Sequence, residues 1–331
     1  MSHPTLSSSK HCKVFLLGAS TLVCLALSTP AMAADFVITS DNGSTNGFGT
    51  EDGATAADIA DDAINGDDTV SLGIAIATGA YAGIYTTNED NVVDGNTITV
   101  SDTGSITTTR MLGYGINNDG DANKTNVSGN ITTEGDTAWG IYNWGSNNET
   151  NVSGNITTKN RQGSGIENFG SNNETIVPGS IATEGYYAFA LGNNGDGNET
   201  IFSGSITTKG NWSVGIYNNG VNNETIVSGS ITTKGNNAHG IWNYGDANKA
   251  TISGYIKATG ANAAALYNED GHGNSFTLNE GATIIGDVLA KDDATNSKLI
   301  FNLGSSTSYA YSVSGKGAGI GLGQWAFSDL D

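Results

Sequence analysis

Beyond residue 33 the chain contains no cysteine, because Cys12 and Cys24 both lie in the opening segment. The remainder therefore forms no disulfide and does no thiol chemistry. Proline is almost as scarce: there are three, and only Pro178 lies past residue 33. Positive charge is in short supply too, with 13 Lys and Arg against 33 Asp and Glu for a net charge of −20. Lys10 and Lys13 fall in the opening segment, which has no acid, so the rest of the chain carries −22. With its few cations scattered, and Arg110 and Arg161 its only arginines, it lacks the basic surface that nucleic acid or anionic lipid requires. Helical periodicity is missing as well. No repeat unit holds an apolar run long enough or suitably spaced for a helix, which excludes helical and leucine-rich repeats.

What the chain has is repetition. The stretch from Asn223 to Gly245, NETIVSGSITTKGNNAHGIWNYG, recurs with substitutions every 25 residues, seven times in all. A Gly-x-Ile unit marks the beat at Gly104, Gly129, Gly154, Gly179, Gly204, Gly229 and Gly254. Each unit carries three short β-branched runs, as in Thr225-Ile226-Val227, Ile231-Thr232-Thr233 and Gly240-Ile241-Trp242, with Gly, Asn and Asp between them for turns. Three strands and three corners in one period make one coil of a right-handed parallel β-helix. At about 4.8 Å per coil, seven coils span roughly 34 Å.

The columns of this frame predict what faces inward. Val127, Val152, Val177, Phe202, Val227, Ile252 and Leu278 form one apolar file. Ile106 to Ile256, taken every 25 residues, form a second, and Ile116, Ile141, Ile166, Leu191, Ile216, Ile241 and Leu266 a third. Two Asn columns keep the same beat. Asn118, Asn143, Asn168, Asn193, Asn218, Asn243 and Asn268 make one, and Asn123 to Asn248 with Asn274 the other. Identical amides one coil apart can hydrogen-bond along the stack, and Asn tolerates the dihedrals of a tight corner. A structural ladder is the expected role, with a ligand site as the alternative. Pro178 replaces a recurrent Ser and should mark a corner.

Residues 1–33 have the build of a secretion signal: Lys10 and Lys13, an apolar segment over 14–27, and Ala31-Met32-Ala33 for cleavage. After its removal no membrane-spanning segment is expected. Residues 34–96 are expected to hold an N-terminal cap, with 54–65 as a short helix or extended segment. An imperfect first coil follows, with its third strand at Ala82-Gly83-Ile84-Tyr85. The seven-repeat β-helix should occupy 97–280. Residues 281–331 should add one or two longer coils, with no cap identifiable at Trp325–Asp331.

The secretion signal, the unit from Gly229 to Ile241 and the tail from Lys298 to Asp331 together resemble the passenger region of bacterial autotransporters. The resemblance covers most of the chain after the signal. It implies a pertactin-like or pectin-lyase-like β-helix, exported through the inner membrane and displayed at the cell surface or released, or held in the periplasm without a translocator. Family members carry a C-terminal outer-membrane barrel of strands alternating in hydrophobicity. Nothing after Ile284 supplies such strands, so the expectation is either a truncated product or a passenger whose translocator is separate or missing.

Parallel β-helices include polysaccharide lyases and hydrolases, which need clustered acids and a base. His239 and His272 occupy non-equivalent frame positions without an acidic pair, and Glu149, Glu174, Glu199 and Glu224 repeat as a surface file. Enzyme activity, cofactors and a dedicated metal site are not expected. Asp119-Gly-Asp121-Ala-Asn123 opens like an EF-hand loop, but Lys124 and Asn130 break the pattern. The outward hydroxyl ranks of Ser205 and Thr207, and of Ser230 and Thr232, suggest ice or crystal binding, but only two adjacent coils keep the pair. The feature that points to function is aromatic. On the third strand Tyr142, Tyr217, Trp242 and Tyr267 flank the buried Ile, and Trp144, Phe169 and Tyr244 lie two residues on. Rings in a row on a stiff scaffold suit sugar faces or a surface-protein partner, or they shield the ladder beneath them. The expected function is a non-catalytic, adhesin-like binding rod. A polysaccharide-acting enzyme or an inert passenger fragment is the alternative.

Overall fold

The computed structural model describes residues 95–291 and 294–302, residues 69–73, and the strands Asp35–Ile38, Ala75–Thr78, Ala82–Thr86 and Trp325–Asp329. Residues 1–33, expected to be a secretion signal, and residues 54–65 lie outside the described residues. The chain is all-β, a right-handed parallel β-helix of three-strand coils of about 25 residues.

Each coil places one strand in each of three parallel sheets, which hold 12, 9 and 9 strands among the described residues. In the Asn223 repeat these strands are Glu224–Val227, Ser230–Thr233 and Ile241–Tyr244. Register follows the 25-residue beat: Ile206 pairs with Ile181 and Ile231, and Glu199 with Glu174 and Glu224. The stack begins before the regular period, because Thr69–Leu72, Ala75–Thr78 and Ala82–Thr86 already form a full coil. Asp35–Ile38 adds a strand outside it, and Trp325–Asp329 pairs in parallel with Ser297–Phe301 at the far end.

The interior is filled by the three apolar files, buried from end to end. Alternation along each strand explains this placement. Residue i faces the lumen and i+1 faces out, so one apolar side chain per strand goes inside and a polar or short one shares the interior with it. Inner Thr133, Thr158, Thr183, Thr208 and Thr233 each donate to a carbonyl five residues on, which closes the corner after the second strand. The Gly-x-Ile glycines are needed for close approach: a Cβ on Gly154 would sit 1.8 Å from the Gly129 carbonyl oxygen. Pro178 follows the strand Glu174–Val177 and stands in a bend. In neighbouring coils Ser153 and Ser203 donate their N–H here to Val127 and Val177 C=O, a bond proline cannot make, so Val152 C=O accepts from Gly179 N–H alone at 2.9 Å.

The two Asn columns do different work. The side-chain amide of each residue from Asn118 to Asn243 donates to Oδ1 of the Asn one coil on, at 2.7–3.1 Å. Five of them, Asn118 to Asn218, also donate to the inner Thr seven residues later, as in Asn168 to Thr175 at 3.1 Å. In the second column Oδ1 instead accepts the backbone N–H of the Asn one coil earlier, as from Asn173 to Asn198 at 2.8 Å. Both columns are buried. They supply partners to polar groups that water cannot reach.

Candidate functional site: an aromatic face with a cleft

The outer surface of the third sheet carries two groups of rings. In the first, Trp139 lies 5.2 Å from Tyr114, 4.6 Å from Tyr142 and 5.6 Å from Phe169, and Trp144 lies 5.9 Å from Phe169. In the second, Phe189 lies 5.2 Å from Tyr187 and 4.9 Å from Tyr217, which stands 4.9 Å from Trp242. Trp242 in turn meets Tyr267 at 6.0 Å and Tyr244 at 6.4 Å. Centroid spacings near one coil repeat follow from register, which brings equivalent positions to the strand-to-strand distance.

All seven aromatic residues singled out in the sequence lie on this face, but they differ in exposure. Trp144, at 56%, Phe169 and Tyr244, at 38%, are open to solvent. Tyr142, Tyr217 and Tyr267 are half-buried among their neighbours. Trp242 is covered, only 9% exposed, and packs with Phe189, Val214, Tyr217 and Tyr267. Its ring therefore supports the face, and its neighbours present the surface. Column reading missed Tyr114, Trp139, Phe189 and His239, which stand two residues before the inner Ile or Leu of the third strand and repeat as rings only in part. It also missed the exposed Tyr186, Tyr187 and Trp212 on the adjoining turn.

Between the two groups the middle column loses its rings: Glu167 and Gly192 stand where neighbouring coils carry Tyr142 and Tyr217. A cleft of about 320 Å³ opens here. Trp139 and Phe169 form one wall, and Tyr187, Phe189 and Tyr217 the other. Trp139 is fixed by its Nε1–H, which donates to the Gln162 carbonyl at 2.9 Å. Ser164 accepts the Phe189 N–H at 3.1 Å and so ties the two walls at their base.

Glu167 is the one acid lining this cleft, and it is 4% exposed. Asn194 donates to its Oε2 at 2.7 Å, and Ser164 hydrogen-bonds the same carboxyl. Burial pushes its pKa up to about 7, with the Ser164 and Asn194 bonds pulling the other way. None of the ion pairs among the described residues involves it; they join Lys124 to Glu149, Lys159 to Glu134, Lys209 to Glu184 and Lys291 to Glu269. Burial also holds the hydroxyls of Tyr142 and Tyr217 protonated beyond their ordinary range. His239 is driven down to about 4 by burial and by Lys291, and its Nδ1 accepts the Ala264 N–H at 3.1 Å.

The turn leading into the third strand places one residue per coil in the left-handed region, including Thr137 (φ 53), Gln162 (φ 55), Tyr187 (φ 55) and Trp212 (φ 59). Further along the rod the same position is Asn237 and then Asn262, a residue that adopts this conformation at little cost. Thr137, Gln162 and Tyr187 all line the cleft. The side chains beside the cleft are therefore held at a conformational cost that the distal coils do not bear. Comparison with protein-family models, with curated proteins and with solved structures returns no match for this chain.

Proposed function

We propose that this protein is a non-catalytic binding rod of the autotransporter-passenger type, exported by its N-terminal signal and acting at the cell surface or outside it. Its contacts are made with glycans, through the aromatic face of the third sheet. One observation carries this reading: solvent-exposed Trp144, Phe169 and Tyr244 belong to packed ring groups on a single face of a stiff parallel stack. Rings held by neighbours lose little side-chain freedom on contact, and their flat faces suit the apolar faces of sugars. Repetition along the rod lets several weak contacts act together. Among the described residues no helix is long and apolar enough to cross a membrane.

A non-catalytic role fits the composition of the cleft. Glycoside hydrolysis calls on two carboxyl groups about 5 to 9.5 Å apart, and Glu167 is the only acid lining the cleft.

The double substitution Trp144→Ala with Tyr244→Ala removes exposed rings and leaves the covered Trp242 in place. Adherence to immobilised glycans or glycan-bearing cells should fall at least tenfold with the melting temperature nearly unchanged. Undiminished adherence of this variant would refute the aromatic face as the contact surface.

A further inference from the structure

The cleft differs from the rest of the aromatic face in three respects. Its floor is open because position 192 is glycine: a Cβ there would fall 2.1 Å from Glu167 Oε2. The Glu167 side chain lies across that vacancy, where the column would otherwise continue with rings. The walls are aromatic on both sides. The remaining lining groups, Thr137, Gln162, Ser164, Asn194 and Asn219, are neutral hydrogen-bonding side chains.

Each part narrows what fits. Two aromatic walls flanking about 320 Å³ suit a flat body with apolar faces. Neutral amides and hydroxyls at the rim suit hydroxyl groups that both donate and accept. The carboxyl of Glu167 is buried, receives only neutral hydrogen bonds and lacks a cationic partner. A ligand with a positive group would supply the countercharge that the protein withholds. A neutral sugar leaves that charge uncompensated, an acidic sugar is repelled by it, and a bare quaternary ammonium leaves the rim amides unused.

We propose that the cleft over Gly192 binds a pyranose unit carrying a free amino group, with its ring between the aromatic walls and its ammonium on Glu167. The assignment rests on the glycan-binding reading above and names the sugar class. Gly192 is the specificity-determining position, because any side chain there displaces the carboxyl that reads the amine.

The test is calorimetric titration of the full chain at neutral pH with a glucosamine tetramer, its N-acetylated counterpart and tetramethylammonium. The parent should bind the amino tetramer at least tenfold more tightly than the acetylated one and should bind tetramethylammonium weakly. Glu167→Gln keeps the shape and the Asn194 bond while removing the charge, and should bring the two tetramers to within about twofold. Gly192→Ala should weaken the amino tetramer at least tenfold, as Gly192 has no left-handed φ and the three atoms nearest the added methyl all belong to the Glu167 carboxyl. Equal binding of both tetramers by the parent, or a preference for the amino form that survives Glu167→Gln, overturns the proposal; the latter would mark general attraction to an acidic surface. Tetramethylammonium binding as tightly as the amino tetramer overturns it in favour of a simple cation cage. Tight binding of both tetramers that is lost in Gly192→Ala would discard the amino sugar yet leave glycan binding standing. Failure of every oligosaccharide overturns the proposal, and the glycan reading falls with it only if adherence also survives loss of Trp144 and Tyr244.

Discussion

The side-chain amide of Asn168 donates to Oδ1 of Asn193, one coil on, at 2.9 Å, and to Thr175 Oγ1 at 3.1 Å. Both of its N–H groups are thereby used inside the rod. Asn168→Ala would leave Asn193 Oδ1 buried and without its donor, at a cost of about 1–3 kcal/mol, with a small cavity adding to it. Chemical denaturation should show that loss without change in the slope of the transition. Stability equal to the parent would mean that the amide file contributes nothing.

Ile206 and Thr207 are adjacent but face opposite ways. Ile206 is enclosed between Ile181 and Ile231, while Thr207 lies on the outer side of the same strand. Ile206→Asp puts an unpaired charge in the lumen and should cost on the order of 4 kcal/mol or more. Thr207→Asp should stay within about 1 kcal/mol of the parent. Thermal melts followed by circular dichroism separate the two, and equal losses would contradict the register.

At Thr137 a β-branched residue holds φ 53. Thr137→Asn, matching Asn237 and Asn262 at the same turn, should raise stability by roughly 0.5–1 kcal/mol. The gain should come with weaker oligosaccharide binding, since Thr137 lines the cleft. A melting temperature at or below that of the parent would show that the turn is not strained there.

Two buried groups give opposite dependences on pH. Glu167 has its carboxyl raised from 4.5 to about 7. Its contribution is fully present below about 4.5 and is lost as pH rises through 7, because the unfolded chain gives up the proton first. His239 is lowered from 6.5 to about 4, so its contribution is present above 6.5 and is lost as pH falls toward 4. Glu167→Gln should therefore stabilise the protein at pH 8, by at most about 3 kcal/mol, and make little difference near pH 4. The acid limb should flatten in His239→Phe and persist in Glu167→Gln. Melting temperatures of the three proteins between pH 4 and 8 test both signs.

The β-helix was legible because its determinants recur: Ile131, Ile156 and Ile181 share one position, and so do Asn143, Asn168 and Asn193. A file of identical residues reports an environment that repeats. The cleft follows the opposite logic. It exists where the column departs from its own pattern, at Glu167 and Gly192, and a reading built on what recurs passes over both. The signal was present all the same, as a lone acid and a lone glycine between Tyr142 and Tyr217. The cover over Trp242 was hidden for a related reason. Phe189 and His239 belong to a neighbouring column, and contacts between columns depend on side-chain direction, which spacing does not convey. The coil at 69–86 was harder to see because its three strands are separated by irregular distances while still matching the register of Thr97–Val100, Ser105–Thr108 and Tyr114–Asp119.

The bonds of the amide file all run the same way, from Nδ2 of one coil to Oδ1 of the next, between Asn118 and Asn268. Backbone bonds between coils run both ways: Glu174 N–H donates back to Asn148 C=O, while Gly165 N–H donates forward to Phe189 C=O. Their dipoles offset one another, as in any sheet, but those of the file add. The file ends on an unpartnered Asn118 Oδ1 at one end and an unpartnered Asn268 Nδ2 at the other. The file thus carries a permanent polarity along the rod axis, negative toward the N-terminal coils and positive toward the C-terminal ones. That is the reverse of an α-helix, whose positive pole lies at its N-terminus.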